Sequence, residues 1–264
     1  MNDLFALDGR VAVVTGGTGA IGSTLAAGLA RARARVVVLA RSVEGMPSLD
    51  DAGDAPAGVA ADVLDLGSLE SARQEIVARL GAVHLLVNCA GGNVSEATVP
   101  PEASPLGIPP EALRQVVDLN LLGTVLPIHV FGDAMPRGGS IVNVSSMAAA
   151  RALTRVGGYG AAKAAVESYT RWLAVELARR GTEIRVNAIA PGFVIGRQNR
   201  ALLVRDAGGL TPRGATVIEH TPMGRFGDPE DLVGTVVWLA SDGASFVTGA
   251  VIPVDGGFSA FAGV

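Results

Sequence analysis

The chain has one cysteine, Cys89, in 264 residues. That excludes an intrachain disulfide and fits a reducing, cytoplasmic setting. Charge is sparse: 17% of residues are charged, and 21 basic against 25 acidic side chains leave a net charge of −4. With no basic block, nothing invites nucleic acid or an anionic membrane as partner. Three scattered histidines and a lone cysteine make no metal-ligand cluster, so no metal is expected. No apolar run approaches the roughly 20 residues of a membrane span. The opening MNDLFALDGR lacks a basic segment and a long apolar run, so no secretory signal is expected.

What is present is apolar and small. Hydrophobic residues make up 49% of the chain, and the mean hydropathy of +0.40 reflects Ala and Val suited to buried strands and helices. The length suits one large α/β domain over residues 1–264, with no internal repeat. Residues 10–15, RVAVVT, read as a buried strand. TGGTGAIG follows, then an apolar helix to about Arg31. Strand, glycine turn and helix in that order suggest a dinucleotide site, because glycine lets the backbone approach a pyrophosphate and a helix N-terminus stabilises its charge. A tight turn without a ligand is the plainer alternative. Residues 35–40, RVVVLA, form a second strand, ending where an adenosine ribose is met in such folds. Arg41 and Ser42 stand there, with no carboxylate, which favours the 2′-phosphate of NADP(H). NAD(H), held through backbone contacts with Arg41 solvated, is the alternative.

Further strands are expected at 58–63, 83–88, 139–146, 183–189 and 250–254, with helices between them. Five prolines between Asn93 and Pro110 rule out a helix or a central strand there. A loop of that length after a strand end is expected to wall the substrate site. A long helix over about 110–135 carries Asn120 mid-way, an unfavourable place for asparagine. Asp228-Pro229-Glu230-Asp231 reads as a helix start. Tyr159 and Lys163 lie four apart in a helix expected over about 158–180, hence on one face. Such a pair usually just sits on a helix surface. An ammonium held beside a phenol, however, would lower the tyrosine pKa towards the range useful for proton transfer. Ser146, at the end of SIVNVSS, is placed to hydrogen-bond a substrate oxygen beside that phenol.

Together, Ser146 with Tyr-x-x-x-Lys, TGGTGAIG, Asp62-Val63, Asn88-Cys89-Ala90-Gly91, Asn120, Pro191-Gly192 and Asp255-Gly256-Gly257 resemble the short-chain dehydrogenase/reductase family over nearly the whole chain. The resemblance implies a single-domain, Rossmann-type, doubly wound α/β fold. Its sheet is about seven-stranded and parallel, with helices on both faces. It implies Asn120, Ser146, Tyr159 and Lys163 as catalytic residues, with Asn120 kinking its helix and holding a proton-relay water. It implies a cofactor held by Gly16, Thr18, Gly19, Ile21, Gly22, Arg41, Ser42, Asp62, Val63, Asn88, Ala90, Gly91, Tyr159, Lys163, Pro191, Gly192 and Val194. Position 196 is Gly196 where the family usually has threonine, so that cofactor contact is not carried over by the resemblance. Position 20 is Ala20, so the glycine spacing also fits the longer sugar-nucleotide-modifying relatives. A homotetramer or homodimer is implied, with the helix of Tyr159 at an interface.

TGGTGAIG, DLNLLGT, IAPGFVIGRQNRALL and HTPMGRFGDPEDL resemble the D-mannonate oxidoreductase (fructuronate reductase) branch of that family. The substrate implied is a small ketone bearing a carboxylate. Arg151, Arg155, Arg197 and Arg200 flank the expected site and suit bidentate carboxylate binding. Asn93, Gln198 and Asn199 could bind sugar hydroxyls. The substrate loop is placed at about 92–110 and a flap at about 195–222. Three readings compete. The first is reduction of another substrate by the same fold, such as a polyol, 5-ketogluconate or a 3-oxoacyl thioester. The others are a sugar-nucleotide epimerase and a non-catalytic NADP-binding protein.

Overall fold

The computed structural model describes residues 4–196, 199–206 and 208–263. Seven strands form one parallel sheet: β1 (Val11–Thr15), β2 (Arg35–Ala40), β3 (Ala57–Ala60), β4 (Leu85–Asn88), β5 (Ser140–Val144), β6 (Arg185–Pro191) and β7 (Val251–Val254). The order across the sheet is β3-β2-β1-β4-β5-β6-β7. The chain winds outward from β1 to β3, then restarts beside β1 with β4. That reversal opens a crevice at the carboxyl ends of β1 and β4, the place where open α/β sheets bind ligands.

Alternate strand residues feed two cores. Val11, Val13, Val37 and Leu39 point to the face covered by α2 (Leu66–Leu80), α4 (Gly123–Gly132) and α5 (Gly157–Arg179). Ala12, Val14, Val36 and Val38 point to the other face, under α1 (Ala20–Arg31) and α8 (Val233–Ala240). This two-sided burial is why the strands read as unbroken apolar runs. At Gly28 a Cβ would stand 2.4 Å from Val233 Cγ1, so glycine lets α1 and α8 pack closely. The expected helix start at Asp228 is present as a capping box with Asp231.

The expected long helix is interrupted. It runs as α3 (Pro110–Val117), a π-turn (Asp118–Leu122) and α4. By length and composition 110–132 is long and apolar enough to span a membrane, contrary to the expectation that no segment is. Here one side of it packs into the fold, with Ala112, Val116, Asn120, Ile128 and Phe131 buried, while Leu113, Leu122 and His129 on the other side are exposed. The proline-rich loop also differs slightly from expectation, because two short 3-10 turns, Ser95–Ala97 and Pro105–Gly107, form within it. Pro105 opens the second, where a missing N–H costs nothing. The flap region contributes α6 (Arg200–Leu203) and α7 (Pro212–Glu219).

Candidate active site

The crevice is lined by a glycine cradle. Gly16 has φ 65°, and a Cβ there would stand 2.8 Å from the Ala90 backbone. At Gly22 a Cβ would stand 2.3 Å from the Gly16 carbonyl oxygen. Ala20 in place of a third family glycine is tolerated because it is exposed at the first position of α1. Among the described residues no side chain caps that helix and its first turn holds no acid, so its orphan N–H groups stand at the crevice as donors for an anion. Thr18 and Gly19 are exposed on the turn, and Ile21 lies half-buried behind it. A Cβ on Gly196 would stand 3.5 Å from Ala20 Cβ, so the start of the flap region passes over the same helix end. These features fit a dinucleotide.

Thr15 fixes the opposite wall. Its buried Oγ1 accepts from the N–H groups of Cys89 (3.1 Å) and Ala90 (3.2 Å). Asn88 Nδ2 donates to Asn143 Oδ1 at 2.9 Å, joining β4 to β5, and Asn143 Nδ2 donates to Thr170 Oγ1 on α5. Arg41 and Ser42 are both exposed at the end of β2. Arg41 has no ion pair among the described residues. Asp62 Oδ1 accepts from Leu64 N–H, which sets the turn that places Val63. A Cβ on Gly192 would stand 2.7 Å from Asp255 Cα, so that glycine packs the end of β6 against the C-terminal loop. A cavity of about 390 Å³ lies there, between Gly192, Val194, Thr221, Met223 and Asp255; neither Ser146 nor Tyr159 lines it.

Ser146, Tyr159 and Lys163 converge. Ser146 ends the β5 segment and caps a 3-10 turn by accepting from Ala148 N–H. Lys163 is buried on α5, its Nζ donating to the Val144 carbonyl at 2.7 Å and lying 5.7 Å from the centre of the Tyr159 ring. Asn120 Oδ1 and Lys163 Nζ flank Gly91, where a Cβ would stand 2.7 Å and 3.1 Å from them. Behind this group, Ser145 Oγ donates to Glu167 Oε1 at 3.0 Å, and Glu167 pairs with Arg171.

The electrostatics correct one expectation. The Tyr159 pKa is not lowered by Lys163. Burial raises it, the hydrogen bond with Ser146 opposes that rise, and Cys89 adds to it only where alkali ionises the thiol. Lys163 is itself desolvated, its pKa drawn down to about 8, and its ammonium points at the Val144 carbonyl rather than at the phenol. Burial also pushes the Cys89 thiol up to about 11, which holds it protonated and unreactive.

Asn120 is also more occupied than expected. Its Nδ2 donates to Gly92 O (2.7 Å) and Val116 O (2.8 Å), and its Oδ1 accepts from Gly92 N–H. The side chain is thus a clasp between the π-turn and the loop after β4.

The expected substrate residues scatter. Asn93 Nδ2 is tied to Val94 O and Thr98 Oγ1, while its Oδ1 is enclosed without a partner. Asn199 is not free for a sugar: it accepts from Gly196 N–H and donates to Val194 O, bracing the flap turn. Arg151 is exposed and bonds the Ser259 carbonyl. Arg200 is exposed on α6. Arg197 and Gln198 lie outside the described residues. Arg155 bonds the Val99 carbonyl from beside the site. The sequence reading missed Thr15, Asn143 and Arg213. The first lay within the recognised turn; the other two carry no local signal.

A parallel sheet with a glycine cradle at its switch point and a serine, tyrosine and lysine beside it defines a nucleotide-dependent oxidoreductase class. The family model described as enoyl-(acyl carrier protein) reductase matches residues 17–259. The uncharacterized oxidoreductase UxuB of Bacillus subtilis is 43% identical over 98% of each chain. A Haemophilus influenza structure, provisionally assigned as a D-mannonate oxidoreductase and solved with bound NAD, superposes with TM-score 0.89. It is 36% identical, with 98% of both chains covered. A gluconate 5-dehydrogenase from Burkholderia cenocepacia, in complex with NADP and tartrate, gives TM-score 0.84 at 32% identity, over 98% of this chain and 99% of that one. The chain belongs to the short-chain dehydrogenase/reductase family and is an oxidoreductase.

Proposed function

We propose that this chain is a cytoplasmic, NADP(H)-preferring reductase that converts the ketone of a sugar acid, D-fructuronate, to the secondary alcohol of D-mannonate. The observation that carries the reading is the meeting of Ser146, Tyr159 and Lys163 beside the glycine cradle. The sugar-acid assignment draws on likeness to the Haemophilus protein and the gluconate 5-dehydrogenase, both named for sugar acids.

The turn of Gly16, Thr18, Gly19, Ile21 and Gly22 would hold the pyrophosphate. Arg41 and Ser42 would hold a ribose 2′-phosphate, and Asp62 and Val63 the adenine. Asn88, Ala90 and Gly91 leave room for the dinucleotide, whose nicotinamide end would lie against Pro191, Gly192 and Val194. When bound, the reduced nicotinamide supplies a hydride to the carbonyl carbon. Ser146 Oγ donates a hydrogen bond to the carbonyl oxygen and steadies its developing charge. Tyr159 gives its phenolic proton to that oxygen, yielding the alcohol, and is reprotonated from solvent. Its raised pKa keeps the phenol protonated at neutral pH, the state reduction requires. Lys163 holds the nicotinamide ribose and balances the transient phenolate. Asn120 keeps the Gly91–Gly92 backbone in register with Lys163.

The second reading is interconversion of gluconate and 5-ketogluconate by the same residues, favoured by the gluconate 5-dehydrogenase likeness. The test is a steady-state panel of D-fructuronate, D-tagaturonate, 5-ketogluconate and an acetoacetyl thioester, each with NADPH and NADH. D-fructuronate with NADPH is expected to give the highest kcat/KM. Turnover of 5-ketogluconate alone selects the second reading, turnover of the thioester alone overturns both, and a preference for NADH removes the role given to Arg41.

A further inference from the structure

Three segments distant in sequence meet at Arg155 and Arg213. Arg155 adopts a left-handed backbone, φ 77°. Its carbonyl accepts from Val99 N–H at 2.9 Å, and its Nε donates to Val99 O at 3.0 Å. Loop 92–110 is thereby clipped to the segment that leads into α5 and Tyr159. From the other side, Arg213 lies at the start of α7, and its Nη1 donates to Thr154 Oγ1 at 3.1 Å. The two guanidinium groups therefore hang from neighbouring residues of one segment, just before Tyr159.

Both arginines are half-buried. Each spends one of its five N–H donors on these contacts. Among the described residues, no carboxylate stands within ion-pair distance of either, whereas Arg10, Arg31, Arg79, Arg114, Arg137 and Arg225 all have one. Burial, followed by the charge of Arg155, holds the Arg213 pKa below its ordinary value. Two half-buried like charges side by side without a counter-ion favour an anion between them. Planar guanidinium groups with free forks match a carboxylate in particular.

We propose that Arg155 and Arg213 form a carboxylate clamp at the mouth of the active site, with α7 carrying Arg213 onto the acid end of the substrate while its ketone lies at Tyr159. The proposal rests on the sugar-acid reading above and deepens it by selecting which cations read the acid. Of the four arginines singled out by sequence position, it keeps Arg155 alone and adds Arg213.

The test is calorimetric titration of the enzyme–NADPH complex, which cannot oxidise an alcohol, with D-mannonate and with tartrate, for the wild type, Arg155→Gln, Arg213→Gln and Arg213→Lys. Both acids are expected to bind the two glutamine variants about tenfold or more weakly, the loss typical of a charged hydrogen bond. NADPH affinity and melting temperature should hold, and Arg213→Lys, which keeps the charge without the fork, should recover part of the affinity. In turnover, Arg213→Gln should raise KM for the acid and leave kcat nearly intact. Equal acid affinity in wild type and Arg213→Gln overturns the clamp, as does a wild type that binds neither acid. If the acids bind through these arginines but D-fructuronate is not turned over, the clamp stands and the substrate assignment falls. If D-fructuronate is turned over with KM unchanged in both glutamine variants, the assignment stands and the clamp falls.

Discussion

Lys163 is the only lysine in the chain, and burial draws its pKa down from 10.5 to about 8. Below pH 8 the amine is protonated in both folded and unfolded chains, so the fold bears the full cost of a buried charge, about 3 kcal/mol. Between pH 8 and 10.5 the unfolded chain still holds a proton that the fold has shed, so stability climbs with pH across that window. Lys163→Met is therefore expected to unfold at higher urea than the wild type at pH 7, with the gap narrowing by pH 10, as read by fluorescence titration. At Tyr159 the sign favours reduction. The phenol is held above its ordinary pKa, so reduction should stay flat through neutral pH while alcohol oxidation climbs into the alkaline range. Tyr159→Phe should cut kcat by about 10²–10⁴-fold, the usual worth of a positioned proton donor, while cofactor titration shows near-normal affinity.

Two short elements set the geometry around these residues. The π-turn frees the Asn120 carbonyl for Thr124 Oγ1 and aims the Asn120 amide at Gly92. Truncating Asn120 to alanine orphans the Gly92 N–H and C=O together with the Val116 carbonyl, and should cost roughly 2–3 kcal/mol of stability in chemical denaturation. The glycine turn is the second element. Gly22→Ala would drive a methyl group into the Gly16 carbonyl. It should abolish cofactor binding, seen as loss of the thermal shift on adding NADP⁺, while the unliganded fold remains detectable by circular dichroism. The asparagine was legible in the sequence as an oddity in a helix, but its clasp on Gly92 was not, because that bond spans 28 residues.

Across the whole molecule, the sheet's polar fasteners Thr15, Asn88, Ser140 and Arg185 stand at strand ends, while Asn143 and Asn187 are buried within strands. Buried Arg185, the first residue of β6, donates to the carbonyls of Leu239 and Ser241, locking the end of α8 to the start of that strand. The α5 surface exposes Trp172 and Val175, at 55% and 56% of their full areas, next to the ring of Tyr169. We read this face as a subunit contact. Light scattering on the eluting protein is expected to give four times the 26.7 kDa chain mass, and Trp172→Glu should shift the species to a smaller assembly. A wild type that elutes as a monomer removes that reading.

Sequence by itself determined the sheet, the glycine turn and the Ser146–Tyr159–Lys163 group. Each depends on short-range pattern: β-branched runs between turns, glycines at a strand end, two side chains four apart on a helix. The family's order of motifs then placed those pieces along the chain. Tertiary structure decided what local pattern does not carry. Dehydration in the packed site raised the Tyr159 pKa where a neighbouring ammonium alone would have lowered it, because both groups lost water together. A hydrogen bond across 108 residues engaged Arg151 with the Ser259 carbonyl, and a local turn engaged Asn199 with its own backbone at Val194 and Gly196. The same folding brought Arg213 to Thr154 across 59 residues, so the cation beside Arg155 came from a segment that no spacing rule connects to the site.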